Sequence, residues 1–197
     1  MSAILPRMKS IPQLMAAVAL AAVAGGCVIS VEAIVPEANA EFDARLLGTW
    51  QGVSDTSDRA TVSRRSGSRY AVEYTDGDET GKFEARLGRL GSRMVLDVWP
   101  TPSDSDVAEP YRGLLIPGHT LMVVEIAPDS LVTRLIEADS LRAVLRRGQL
   151  RLDTLRHSRQ LVLTSPTNVL RSGLGTYIGR PGALDKPGIW RRVPGRR

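Results

Sequence analysis

From Arg69 to Trp99 apolar and polar residues alternate in three successive runs, and a period of two admits extended strands and little else. Tyr70, Val72 and Tyr74 share one face of the run 69–75. In 82–89, Phe83, Ala85 and Leu87 point one way, and Lys82, Glu84 and Arg86 point the other. Met94, Leu96 and Val98 share a face of 93–99. Asp76-Gly77 and Gly91 supply the turns between these runs, and Pro100 and Pro102 end the third. Runs at 46–52, 59–64, 120–126, 130–136, 151–155 and 160–164 bring the candidate strands to nine. Short strands at this spacing predict a mainly β domain, an antiparallel meander forming a barrel or half-barrel. Two short helices are expected in its C-terminal half. Ser140 can cap one carrying Leu141, Val144 and Leu145, with Gly148 past its end. Ser165 can cap another, with Pro166 in its first turn and Val169, Leu170 and Leu174 at helical spacing.

The N-terminus follows another logic. Arg7 and Lys9 precede an apolar run from Ile11 to Ala24, which ends in Gly25-Gly26-Cys27. A positive stretch, a short apolar stretch and small residues are the layout of an export signal. Cys27 is the only cysteine of the chain. Its place after two glycines resembles a bacterial lipoprotein signal, and the resemblance implies that the leader is removed and Cys27 carries a lipid. Two other readings stay open. Ala22-Val23-Ala24 is also a small-x-small cleavage site, and the 18 uncharged residues 14–31 are just long enough for an uncleaved span. The organisation expected is a signal peptide at 1–26, a lipidated Cys27 with a flexible tether at 27–40, and one β-rich domain at 41–197. The place of work is then the cell envelope, on the periplasmic face or the cell surface. With Cys27 committed, the mature domain has no thiol for a disulfide, a metal thiolate or a nucleophile.

Charge is unevenly spread. Residues 41–110 hold 9 Lys/Arg and 13 Asp/Glu, net −4, and residues 111–197 hold 15 and 6, net +9. The cations are scattered with few aromatics among them, which argues against nucleic acid as a partner. A solvated surface, or contact with lipid head groups, accounts for them. The polar stretch 103–110 reads as a loop.

Catalytic chemistry finds little to work with. His119 and His157, the only histidines, read as exposed loop residues rather than ligands or bases. No G-x-S-x-G elbow, H-E-x-x-H pair or phosphate-cradling loop occurs, so no enzyme, metal or cofactor is expected. Asp97 stands out, because it interrupts an apolar strand and shares a face with Val95 and Trp99. If buried it needs a partner, either an arginine or loop backbone groups, or it serves as the polar anchor of a ligand pocket.

Gly48-Thr49-Trp50 on the first predicted strand resembles the Gly-x-Trp signature that opens lipocalin-like barrels. The resemblance implies that Gly48 and Trp50 close one end of a barrel, the indole against an arginine late in the chain. Trp190 and Arg191, in Ile189-Trp-Arg-Arg192, are candidates for that partner. Two functions follow as expectations. One is a tethered, non-enzymatic binding module for an apolar or amphipathic small molecule, lined by Tyr70, Tyr74, Phe83, Trp99 and Met122 with Asp97 as orienting group. The other is an envelope structural or interaction protein with a filled core, whose basic half meets an acidic partner or lipid head groups.

Overall fold

The computed structural model describes residues 28–101, 118–157 and 160–194. The leader, Cys27, the 103–110 loop and the last three residues lie outside the described residues. In chain order the elements are β1 (Val28–Ser30), β2 (Gly48–Gly52), β3 (Arg59–Arg64), β4 (Arg69–Asp76), β5 (Glu79–Leu90), β6 (Arg93–Pro100), β7 (Thr120–Ile126), β8 (Ser130–Leu135), α1 (Ala138–Arg146), β9 (Thr154–His157), β10 (Gln160–Leu163), α2 (Thr167–Tyr177) and β11 (Gly188–Val193).

Eight of these strands form a closed antiparallel barrel, in the order β11-β2-β3-β4-β5-β6-β7-β8. From β2 to β8 it is the up-and-down meander that the alternation predicts. Closure depends on β11, which pairs with β2 on one side and β8 on the other. The pattern of 46–164 does not contain that strand. β9 and β10, which the sequence offers as a final hairpin, leave the barrel and join β1 in a separate three-stranded sheet.

The expected tether is part of the fold. Val28–Ser30 pairs in parallel with β10, and Ile34 and Val35 are buried. Three residues are too few to display a period of two, so the sequence of this segment carries no strand pattern. Its burial comes from distant groups: Thr167 Oγ1 donates to Ala33 O at 2.8 Å, and Arg171 Nη1 donates to Ile34 O at 2.9 Å. Gly88 on β5 lets it approach, because a Cβ there would lie 2.7 Å from a Val35 methyl.

The molecule therefore has two cores. One fills the closed end of the barrel, with Trp50, Tyr70, Ala85, Leu87, Val124 and Leu131. The other lies outside the barrel wall, where Leu90, Val95, Leu121 and Val123 meet Val35, Leu163, Leu170 and Leu174 of the satellite layer. β6 is apolar on both faces because it separates the two. Both helices form, with different caps. Glu137 rather than Ser140 caps α1, accepting from the amides of Asp139 and Ser140. Ser165 does not cap α2; its hydroxyl accepts from Asp153 N at 2.6 Å and ties α2 to the strand hairpin.

Candidate functional site

The barrel is plugged at one end and hollow at the other. A 3-10 turn at Ala44–Leu46 crosses the plugged end, and Trp50 lies beneath it, donating from Nε1 to Leu46 O at 2.9 Å. Tyr70 stacks on Phe42 at 5.4 Å between ring centroids, and its hydroxyl accepts from Asp43 N at 2.6 Å. Arg192 holds the assembly. Its guanidinium lies 4.2 Å from the Trp50 ring centroid and donates to Leu47 O at 2.6 Å, Arg45 O at 2.5 Å and Pro128 O at 2.7 Å. The arginine facing Trp50 is thus Arg192 and not Arg191. On β11 the inward positions are 190 and 192, and Arg191 faces out, exposed. Gly48 is required here twice over: its φ is +117°, and a Cβ would lie 2.8 Å from Arg192 Nη1.

Towards the other end the inward side chains stop meeting. Trp50, Tyr70 and Ala85 are fully buried, whereas Val72, Tyr74, Phe83, Leu96, Val98, Met122, Leu135 and Trp190 are only half-buried although all face inward. The difference is a cup of about 380 Å³. Trp50 and Tyr70 form its floor, and Phe83, Leu96, Met122 and Trp190 belong to its wall. Its polar atoms are already engaged. Trp190 Nε1 donates to Thr133 Oγ1 at 3.0 Å, and Tyr74 OH donates to Asp58 Oδ1 at 2.6 Å. Tyr74 and Trp190 meet edge to face at 6.4 Å. Burial, then the bond to Asp58 and the fields of Asp58, Asp76 and Asp55, push the Tyr74 phenol well above its ordinary value.

Of the expected lining residues, Tyr70, Tyr74, Phe83 and Met122 meet in this cup. Asp97 and Trp99 do not, because they stand on the outward face of β6 while Leu96 and Val98 face in. Asp97 is wholly buried in the outer core. Its Oδ2 accepts from Ile34 N and Val35 N, both at 2.9 Å, and its Oδ1 lies 3.0 Å from His119 Nδ1. It is a clasp for the N-terminal segment, satisfied by backbone amides. His119 is correspondingly not an exposed loop residue: it is mostly buried, packs on Trp99 at 5.2 Å and exchanges backbone bonds with Ser30. Trp99 is also covered by Arg86, whose guanidinium lies 5.0 Å from its ring centroid. Trp190, read as a closing residue, instead forms part of the wall.

A larger depression, about 620 Å³, is an open groove between the end of α1, the start of β9 and α2. Arg146, Arg151 and Asp153 are among its walls, so it has the mixed polarity of ordinary surface. Among the described residues no group of three His, Cys, Asp or Glu could hold a metal, and no helix is long and apolar enough to cross a membrane. The chain matches no family model, no curated protein and no solved structure.

Proposed function

We propose that this chain is an exported, membrane-tethered binding module, non-enzymatic, whose barrel cup takes an apolar or amphipathic small molecule. The observation that carries this reading is the cup itself. At about 380 Å³ it falls within the ~300–1,000 Å³ range of small-molecule sites. An eight-stranded barrel is just wide enough to be filled by its own side chains or to hold one small ligand, and here the large residues crowd one end and leave the other open. Each buried methylene contributes roughly 0.8 kcal/mol. A chain of about a dozen carbons therefore gains roughly 10 kcal/mol, of the same order as the ~4–15 kcal/mol cost of immobilising it. Native mass spectrometry of the purified protein should show a retained small molecule, and a neutral fluorescent probe such as N-phenylnaphthylamine should bind. Leu96→Lys places an ammonium in the wall and should weaken the probe at least ~10-fold. Equal binding by wild type and variant would remove the cup from consideration.

The tether in this reading is an acyl group on Cys27. Because β1 begins at Val28, it would leave almost no slack, and the satellite sheet would be held close to the bilayer. Radiolabelled fatty acid should enter the wild-type protein and not Cys27→Ser; equal incorporation would end the lipid-anchor proposal. One observation favours the second reading, an interaction protein. The open groove carries Arg146 and Arg151 beside Asp153, within the half of the chain that is net +9, and that excess of cations is what an acidic partner or lipid head groups would use. It lacks the apolar enclosure of the cup.

A further inference from the structure

The wall of the cup and its mouth differ in character. No charged side chain belongs to the wall, so recognition of an amphiphile's head group falls to the mouth. β2 ends, β3 begins and β4 ends at that mouth, and the acids of these segments gather beside Tyr74. The Asp58 carboxylate accepts a hydrogen bond from the Tyr74 hydroxyl at 2.6 Å, Asp76 follows Tyr74 by two residues on the same row of β4, and Asp55 lies between β2 and β3, with the fields of both reaching the phenol. Asp76 also faces Glu79 across the β4–β5 hairpin. Among the described residues, Asp55, Asp58 and Asp76 have no ion-pair partner. The cations on these strands point elsewhere. Arg59 and Lys82 occupy outward positions of the alternation, Lys82 opposite Glu73. Lys186, in the segment before β11, follows Asp185 directly.

We propose that the occupant of the cup is a single-chain amphiphile with a positively charged head group, an amine or quaternary ammonium, seated with its chain against Leu96 and Met122 and its head among Asp55, Asp58 and Asp76. This rests on the reading of the cup as a binding site and goes beyond it by naming the charge of the ligand. Chain length follows from volume. A methylene occupies about as much space as a water's ~30 Å³ share of liquid, so about a dozen fit. A fatty acid or alkyl sulfate of the same length would bring its anion to three unpaired carboxylates. The arrangement thus selects by repulsion as well as by attraction.

The test displaces a neutral fluorescent probe from the purified protein with three twelve-carbon amphiphiles, each below its micelle concentration: dodecyltrimethylammonium, dodecyl maltoside and dodecyl sulfate. The cation is expected to compete at least ~10-fold better than the sulfate, with the gap narrowing as salt screens the rim. The double variant Asp58→Asn, Asp76→Asn keeps side-chain size and an acceptor for Tyr74, and it should bring cation and anion to within about threefold of each other. Dodecyl sulfate competing as well as the cation in wild type would overturn the head-group inference and leave the cup standing. If the probe binds in a manner sensitive to Leu96→Lys and none of the three displaces it, the amphiphile inference fails while the cup reading stands; if the probe does not bind, both fall.

Discussion

Asp97→Ala is expected to lower the stability of the protein by about 3–5 kcal/mol. The carboxylate accepts the amides of Ile34 and Val35 and faces the His119 ring in a site with no access to solvent. Truncation leaves two buried N–H groups without acceptors, each costing roughly 1–3 kcal/mol, and removes the partner of the imidazole as well. Asp97→Asn retains an oxygen acceptor and should cost less. His119→Ala should also cost less, since both amide bonds to Asp97 survive it. Urea denaturation measures the totals. Limited proteolysis gives the sharper readout: in Asp97→Ala, cleavage within 28–40 should precede cleavage of the barrel. An unchanged urea midpoint, or cleavage of the barrel first, would show that the carboxylate does not hold the N-terminal segment.

The second large effect is expected at the plugged end. Trp50→Ala removes a fully buried indole from the floor of the cup, and a loss of about 3–5 kcal/mol follows for truncating an aromatic in a packed core. The indole is also the surface on which Arg192 lies, so the two should not act independently. Arg192→Met forfeits three hydrogen bonds to the carbonyls of Arg45, Leu47 and Pro128, which join the 3-10 turn to the β7–β8 turn. A double-mutant cycle on Trp50→Ala and Arg192→Met should give a coupling energy of about 1–2 kcal/mol from the cation–π contact and the shared geometry. Strict additivity would mean that the guanidinium is held by the carbonyls alone. Trp50→Ala should also deepen the cup, so it is expected to change probe binding where Asp97→Ala does not.

Much of the barrel was legible because its strands obey a simple rule. Along β4 and the first half of β5 one face is apolar and the other wet, and Tyr70, Tyr74 and Phe83 fall inside as their spacing requires. The rule fails where a strand is covered twice. On β6, Leu96 and Val98 face the cup while Val95, Asp97 and Trp99 face the outer core, so apolarity alone could not say which row lined a pocket. The expectation that Asp97 and Trp99 line the pocket fails for that reason. β11 escaped because Ile189-Trp-Arg-Arg-Val193 is a short run in which the inward row is Trp190 and Arg192, and an inward arginine hides a core-facing strand. The segment 28–35 escaped because what orders it lies about 60 residues away on β6, at Asp97, and further still on α2. The cup itself was not legible. The same aromatic residues would make a solid interior, and only their relative positions leave a hollow.

The barrel has a thick side and a thin side. β6 and its neighbours β5 and β7 are backed by the satellite sheet and α2, whereas the outer rows of β3 and β4 meet water. An occupant too bulky for the resting cup therefore meets unequal resistance. The thick side would have to shift a second packed layer in order to yield, and the thin side would only have to displace solvent. Any swelling of the mouth would thus be directed towards β3 and β4, the strands that carry or adjoin Asp58, Tyr74 and Asp76.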